Sequence, residues 1–136
     1  MKLTKFSNRG MLITLVSILM LTTASISAQK RKKSGPCANP QTQSEMNMCA
    51  GEDFKAADAV LNQVYQQLVA KLDDEEKALL KDAENAWLKY RDTNCEFVGD
   101  QYKGGTMRPM VEAGCLEDMT RKRTTELRAQ IKERSQ

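Results

Sequence analysis

The run Ala86-Trp87-Leu88-Lys89-Tyr90-Arg91-Asp92-Thr93-Asn94-Cys95 gathers the single tryptophan of the chain, a tyrosine, an arginine and a cysteine into one short stretch. Trp87, Tyr90 and Asn94 stand at i, i+3 and i+7, and Arg91 and Cys95 continue the neighbouring i+4 row. Helical spacing therefore places aromatic bulk, hydrogen-bonding groups and a thiol along one stripe. The stretch predicts the core face of a central helix, with Trp87 and Tyr90 as core aromatics. Such a face needs partners on both sides.

Both flanks supply one. Upstream, Thr42-Gln43-Ser44-Glu45 has the Thr-x-x-Glu form of a capping box. It opens a helix expected to run to about Leu72 along Met46, Cys49, Ala57, Leu61, Val64, Tyr65 and Leu68, loosened at Gly51. Asp73 and Glu76 form a second box and start the central helix, which carries Leu79, Leu80, Ala83, Trp87, Tyr90, Asn94 and Cys95 and should end near Gly99. Asp100 to Arg108 reads as a loop containing Gly104-Gly105, and Pro109 suits the first turn of a third helix. That helix shows Met110, Val111, Cys115, Leu116, Met119, Arg123, Leu127 and Ile131 at spacings of three and four. Its basic residues crowd the C-terminal half, where the helix dipole favours cations. Cys37 to Gln41 reads as an extended lead-in, because Pro40 disfavours helix before it.

The expected fold class is all-α, a small antiparallel three-helix bundle stapled by two disulfides. Four cysteines and no histidine, with no Cys-x-x-Cys spacing, favour disulfides over a zinc site or redox chemistry. All four cysteines fall at one end of such a bundle. At ~1.5 Å per residue Cys49 lies ~10 Å into the first helix and Cys115 ~9 Å into the third. Sequence alone allows three connectivities; matching depths pairs Cys37 with Cys95 and Cys49 with Cys115.

The start of the chain reads as an address. Lys2, Lys5 and Arg9 precede an apolar run from Met11 to Leu21, then small residues to Ala28, so residues 1–28 are expected to be a cleavable signal peptide. The run falls short of the ~20 apolar residues a spanning helix needs, and no lipidation cysteine follows it. Residues 29–36 form a basic leader around Lys30-Arg31-Lys32-Lys33, and 37–136 the folded domain. This division predicts a periplasmic or secreted protein without stable membrane insertion.

The formal charge of +3 belongs to the signal and leader. From Cys37 onward 14 Lys and Arg stand against 18 Asp and Glu, net −4, which argues against nucleic-acid binding. Catalysis finds little to work with. Histidine is absent, serines and threonines sit mainly in the signal, caps and loops, and the acids cluster at helix starts. No nucleophile, base and orienting group assemble, so no enzyme activity, metal or cofactor is expected. Arg91 reads as a buried cation paired with an acid of the first helix, Asp58, and Asn62 as a helix-facing hydrogen-bonder, since buried charges are usually paired.

These residues together resemble a known family. Cys37, the run Thr42 to Ala50, Ala57-Asp58, Leu61-Asn62, Tyr65, Trp87-x-x-Tyr90-Arg91-Asp92-x-x-Cys95, Cys115 and Thr120…Arg123…Leu127 are similar to the lysozyme-inhibitor LprI-like N-terminal domain. The resemblance implies a small helical, disulfide-bearing exported bacterial domain that blocks lysozyme. The chain departs from the named member in showing no lipid-anchor signal. An inhibitor gains on-rate from an acidic surface and affinity from a rigid loop inserted in the cleft. Asp100, Gly104, Gly105, Thr106 and Arg108, at the disulfide-braced end, are the residues expected to meet a partner. The alternative is a non-catalytic periplasmic interaction module that binds another envelope protein through a helix face.

Overall fold

A computed structural model describes residues 35–136. The expected signal peptide and all but the last two residues of the leader lie outside the described residues. Those described form a 3-10 turn, Gly35–Ala38, and three α-helices: α1 (Gln43–Val69), α2 (Asp74–Asp100) and α3 (Arg108–Glu133). Among the described residues there is no strand. Both capping boxes form. The Glu45 carboxylate accepts from the backbone N–H groups of Gln41 (2.6 Å) and Thr42 (3.0 Å), and the Glu45 N–H donates to the Thr42 hydroxyl. Asp73 and Glu76 repeat the arrangement at α2. α1 runs unbroken through Gly51, because neighbouring turns outweigh the modest helix penalty of one glycine. The lead-in is a 3-10 turn around Cys37 rather than extended chain.

Short connections make α1 and α3 parallel to each other and antiparallel to α2. Asn47 meets Thr106 at one end, while Arg134 reaches Glu76 at the other. α3 lies closest to α1 and also packs on α2, whereas α1 and α2 meet through long side chains. The central helix is therefore α3, not α2. Small residues allow this: Ala57 on α1 and Thr120 and Thr124 on α3 are buried where those helices approach. The apolar core sits toward the end opposite the cysteines and comprises Leu61, Val64, Leu68, Leu72, Leu80 and Leu127, flanked by Tyr65, Trp87 and Ile131.

The disulfides join Cys37 to Cys49 and Cys95 to Cys115, with Cα separations of 5.4 and 5.5 Å. This corrects the pairing inferred from depth. The 3-10 turn folds Cys37 back beside the first turns of α1, and α2 and α3 bring Cys95 and Cys115 together across their shared interface. All four cysteines still lie at the common end.

The two bridges should differ in worth. Closing loops of this length constrains the unfolded chain by about 3 kcal/mol each. Loss of Cys37–Cys49 also frees a lead-in that folded helices can release, which recovers entropy in the native state. Replacing Cys95 and Cys115 by alanine should therefore lower unfolding free energy by about 3 kcal/mol in urea titrations, and the Cys37/Cys49 double variant by clearly less.

The two backbone hydrogen bonds, from Gln41 and then Thr42, hold the Glu45 carboxyl below its ordinary range. A depressed folded-state pKa gives stability that is complete above the ordinary glutamate value and lost as pH falls through the lowered one. Thermal melting followed by circular dichroism across acidic pH should show a shallower acid limb in Glu45→Gln than in wild type.

Candidate functional site

Two features stand out: a charged layer inside the bundle and the exposed connection at its disulfide-braced end. In the layer, Arg91 of α2 is 6% exposed. Its guanidinium donates to Asp58 of α1 (3.3 Å), to the Thr120 hydroxyl of α3 (3.2 Å) and to Asp92 (2.8 Å). It also lies 5.3 Å from the ring centres of Phe54 and Trp87. One turn away, Arg123 of α3 donates through two nitrogens to the buried Glu84 of α2 (2.8 and 2.5 Å) and through a third to Glu126 (2.6 Å). The Arg123 guanidinium is 5.9 Å from the Trp87 ring. Trp87 is thus within cation–π range of two guanidiniums, each tied to carboxylates, and that attraction adds to both ion pairs. Burial works to lower the Arg123 pKa, but the hydrogen bonds to Glu84 and Glu126 outweigh it and the net shift is upward.

The layer joins all three helices, yet its groups are committed to one another. Among the described residues no buried side-chain nitrogen or oxygen lacks a partner, and no group of three or more His, Cys, Asp or Glu could hold a metal.

The structure brings some of the expected residues together and turns others to the surface. Trp87 is half-buried against the core and Tyr65 flanks it, and Arg91 and Asp58 are brought together. Tyr90 is 60% exposed and is not a core residue. Asn62 is also exposed and donates to the Asp58 carboxylate and carbonyl one turn back. The buried face of α2 is Leu80, Glu84, Arg91, Cys95 and Gly99, so the expected stripe, drawn through Leu79 and Tyr90, is turned away from the true one. The displacement has a simple cause: Glu84 occupies an interior position that a charge would ordinarily avoid. Its spacing from Leu80, Trp87 and Arg91 was the available signal, as was Arg123 on the α3 stripe.

At the braced end, the expected loop is shorter than Asp100 to Arg108. Asp100 closes α2 and Arg108 opens α3, leaving residues 101–107, all exposed. Gly104 adopts φ 77°, a left-handed conformation that suits glycine. The Gly105 N–H donates to the Tyr102 carbonyl (2.9 Å). Asn47 of α1 donates to the Thr106 carbonyl (2.9 Å), a tether the sequence did not reveal. Arg108 is partly buried and paired with Glu112 (2.7 Å), and the Glu112 hydrogen bond raises its pKa. Glu112 in turn fills the space beside Gly99, where a β-carbon would collide with it. Arg108 thus anchors the base of the connection, while Gly104, Gly105 and Thr106 lie in its exposed part. Cys95–Cys115 lies just behind.

Fold and site define the class: a small, two-disulfide helical domain with an exposed, tethered connection at its braced end. The model of the lysozyme inhibitor LprI family matches residues 36–127, and the chain belongs to that family. An uncharacterized protein of Rhizobium meliloti (strain 1021) is 39% identical over 126 residues, covering 83% of this chain and 89% of that protein. No solved structure matches. Among the described residues no helix is long and apolar enough to cross a membrane.

The charged layer makes a quantitative statement. Glu84→Ala leaves Arg123 buried without its interhelical partner and should cost about 3 kcal/mol of unfolding free energy. Asp92→Ala, at a 61% exposed side chain, should cost less than about 1 kcal/mol. Denaturant titration of the two variants checks the contrast.

Proposed function

We propose that this protein is an exported, non-catalytic inhibitor that blocks the substrate cleft of a lysozyme with the 101–107 connection. Family membership supplies the target class. The observation that carries the choice of surface is the pairing of exposure with restraint: residues 101–107 project from the end held by both disulfides, and Asn47 fixes Thr106 from a neighbouring helix. A pre-ordered loop loses little entropy on docking, so more of its contact energy appears as affinity.

Charge supports the same reading at two ranges. The net −4 of residues 37–136 would draw in a cationic lysozyme and speed association. At contact range, glycosidase clefts hold a pair of catalytic carboxylates. Lys103, exposed immediately before Gly104, offers them a cation on a long, flexible stem. Tyr102 and Met107, 37% and 36% exposed, add apolar contact on either side. The acidic start of α2, Asp73 to Glu76, lies at the far end and can contribute only to long-range steering. Processing of residues 1–28 during export to the periplasm or beyond belongs to the same proposal, and two disulfides suit an oxidising compartment.

Purified oxidised protein at micromolar concentration should slow cell-wall hydrolysis by an animal-type or a goose-type lysozyme. Lys103→Glu should weaken inhibition by about 10-fold or more with unchanged melting temperature, since it sets like charges together in a desolvated contact. Unimpaired hydrolysis by both enzyme types would overturn the proposal.

A further inference from the structure

α2 carries a second apolar row that the bundle does not use. Leu79, Ala83, Ala86, Tyr90, Thr93 and Phe97 follow one another at alternating intervals of four and three, the a/d pattern of a coiled-coil seam. All six are exposed; Leu79, Tyr90 and Phe97 are 65%, 60% and 72% accessible. Beside the seam runs a groove of about 300 Å³ lined by Leu72, Glu76, Leu79, Ala83, Arg123 and Arg134.

We propose that this seam is a homodimer interface in which two copies pair their α2 helices antiparallel. The seam complements itself in one register. Ala83 lies opposite the second copy's Ala86, and these small residues let the helices approach closely at the centre. Leu79 lies opposite Tyr90, which enters the groove between Leu79 and the pair Arg123 and Arg134. Thr93 lies opposite Glu76, and Phe97 reaches past it to the second copy's α1–α2 turn. Each contact occurs twice about the twofold axis, as an isologous interface requires. The flanking charges select the same alignment. Asp82 and Lys89, both exposed, border the seam on one side, and in this register each Asp82 faces the second copy's Lys89. A slip of one heptad toward α2's C-terminus would set Lys89 against Lys89 and Asp82 against Glu96. The like-charge pair of the chosen register, Glu75 with Glu96, falls at the outer edges where water and salt screen it. Antiparallel pairing leaves the two 101–107 connections at opposite ends of the dimer, free of the interface.

Sedimentation equilibrium on the oxidised protein tests the proposal independently of any lysozyme. Wild type should approach twice the monomer mass at about 100 μM, a range suited to a modest interface. Ala86→Glu should weaken association by about 100-fold while leaving helicity and melting temperature unchanged, because the residue faces solvent in the monomer. Asp82→Lys and Lys89→Asp should each weaken it by about 10-fold, and the double exchange should restore it. A monomeric wild type, a dimer indifferent to Ala86→Glu, or a double exchange that fails to rescue would overturn the proposal. Altered lysozyme inhibition would bear only on the function proposed above.

Discussion

The interaction on which the bundle depends is the pair of ion-paired guanidiniums that meet at Trp87. Arg91 and Arg123 come from different helices, point at the same indole, and are neutralised by Asp58 and Glu84 from α1 and α2. Oily side chains alone could slide past one another in a bundle this small, because apolar contact is not directional. Hydrogen-bonded ion pairs have fixed geometry, and removing either partner strands a charge in a low-dielectric interior. Net stability and specificity separate here. The leucine cluster around Leu68 and Leu127 supplies the driving force, and the charged layer ties all three helices to one alignment.

The remaining architecture follows from where each kind of cohesion is placed. Apolar packing dominates the end holding the α1–α2 turn. Sulfur bridges and side-chain tethers dominate the other, where Cys95–Cys115, the Asn47 contact and the Arg108–Glu112 pair converge around a short exposed connection. Between them, Ala57, Thr120 and Thr124 keep α1 and α3 in close parallel contact. The Asn47 contact and the Gly105 turn bond each hold one point of the connection that leaves this base.

Much of this was legible in the residues themselves. Thr42 with Glu45, and Asp73 with Glu76, fixed two helix starts to within a residue, because capping chemistry is local and depends on side chains three positions apart. The number of helices, their order and the common end of the cysteines followed from periodicity and short connections. What periodicity could not resolve was the rotation of α2. That helix has two rows rich in apolar residues, and the interior one contains Glu84 and Arg91, whose burial makes sense only once Arg123 and Asp58 are beside them. Disulfide pairing was misread for a related reason: depth along a helix ignores the turn that returns Cys37 to α1. The Asn47 tether and the Gly99–Glu112 fit depend on contacts between distant segments, and local spacing carries no trace of them.

Connectivity has a consequence for how the molecule matures. Each cysteine is joined to its immediate neighbour in the chain, the first to the second and the third to the fourth. In a polypeptide that enters an oxidising space amino end first, every thiol meets its correct mate before any competitor arrives. Stepwise oxidation then yields the native links directly, and an enzyme that reshuffles wrong ones has nothing to correct.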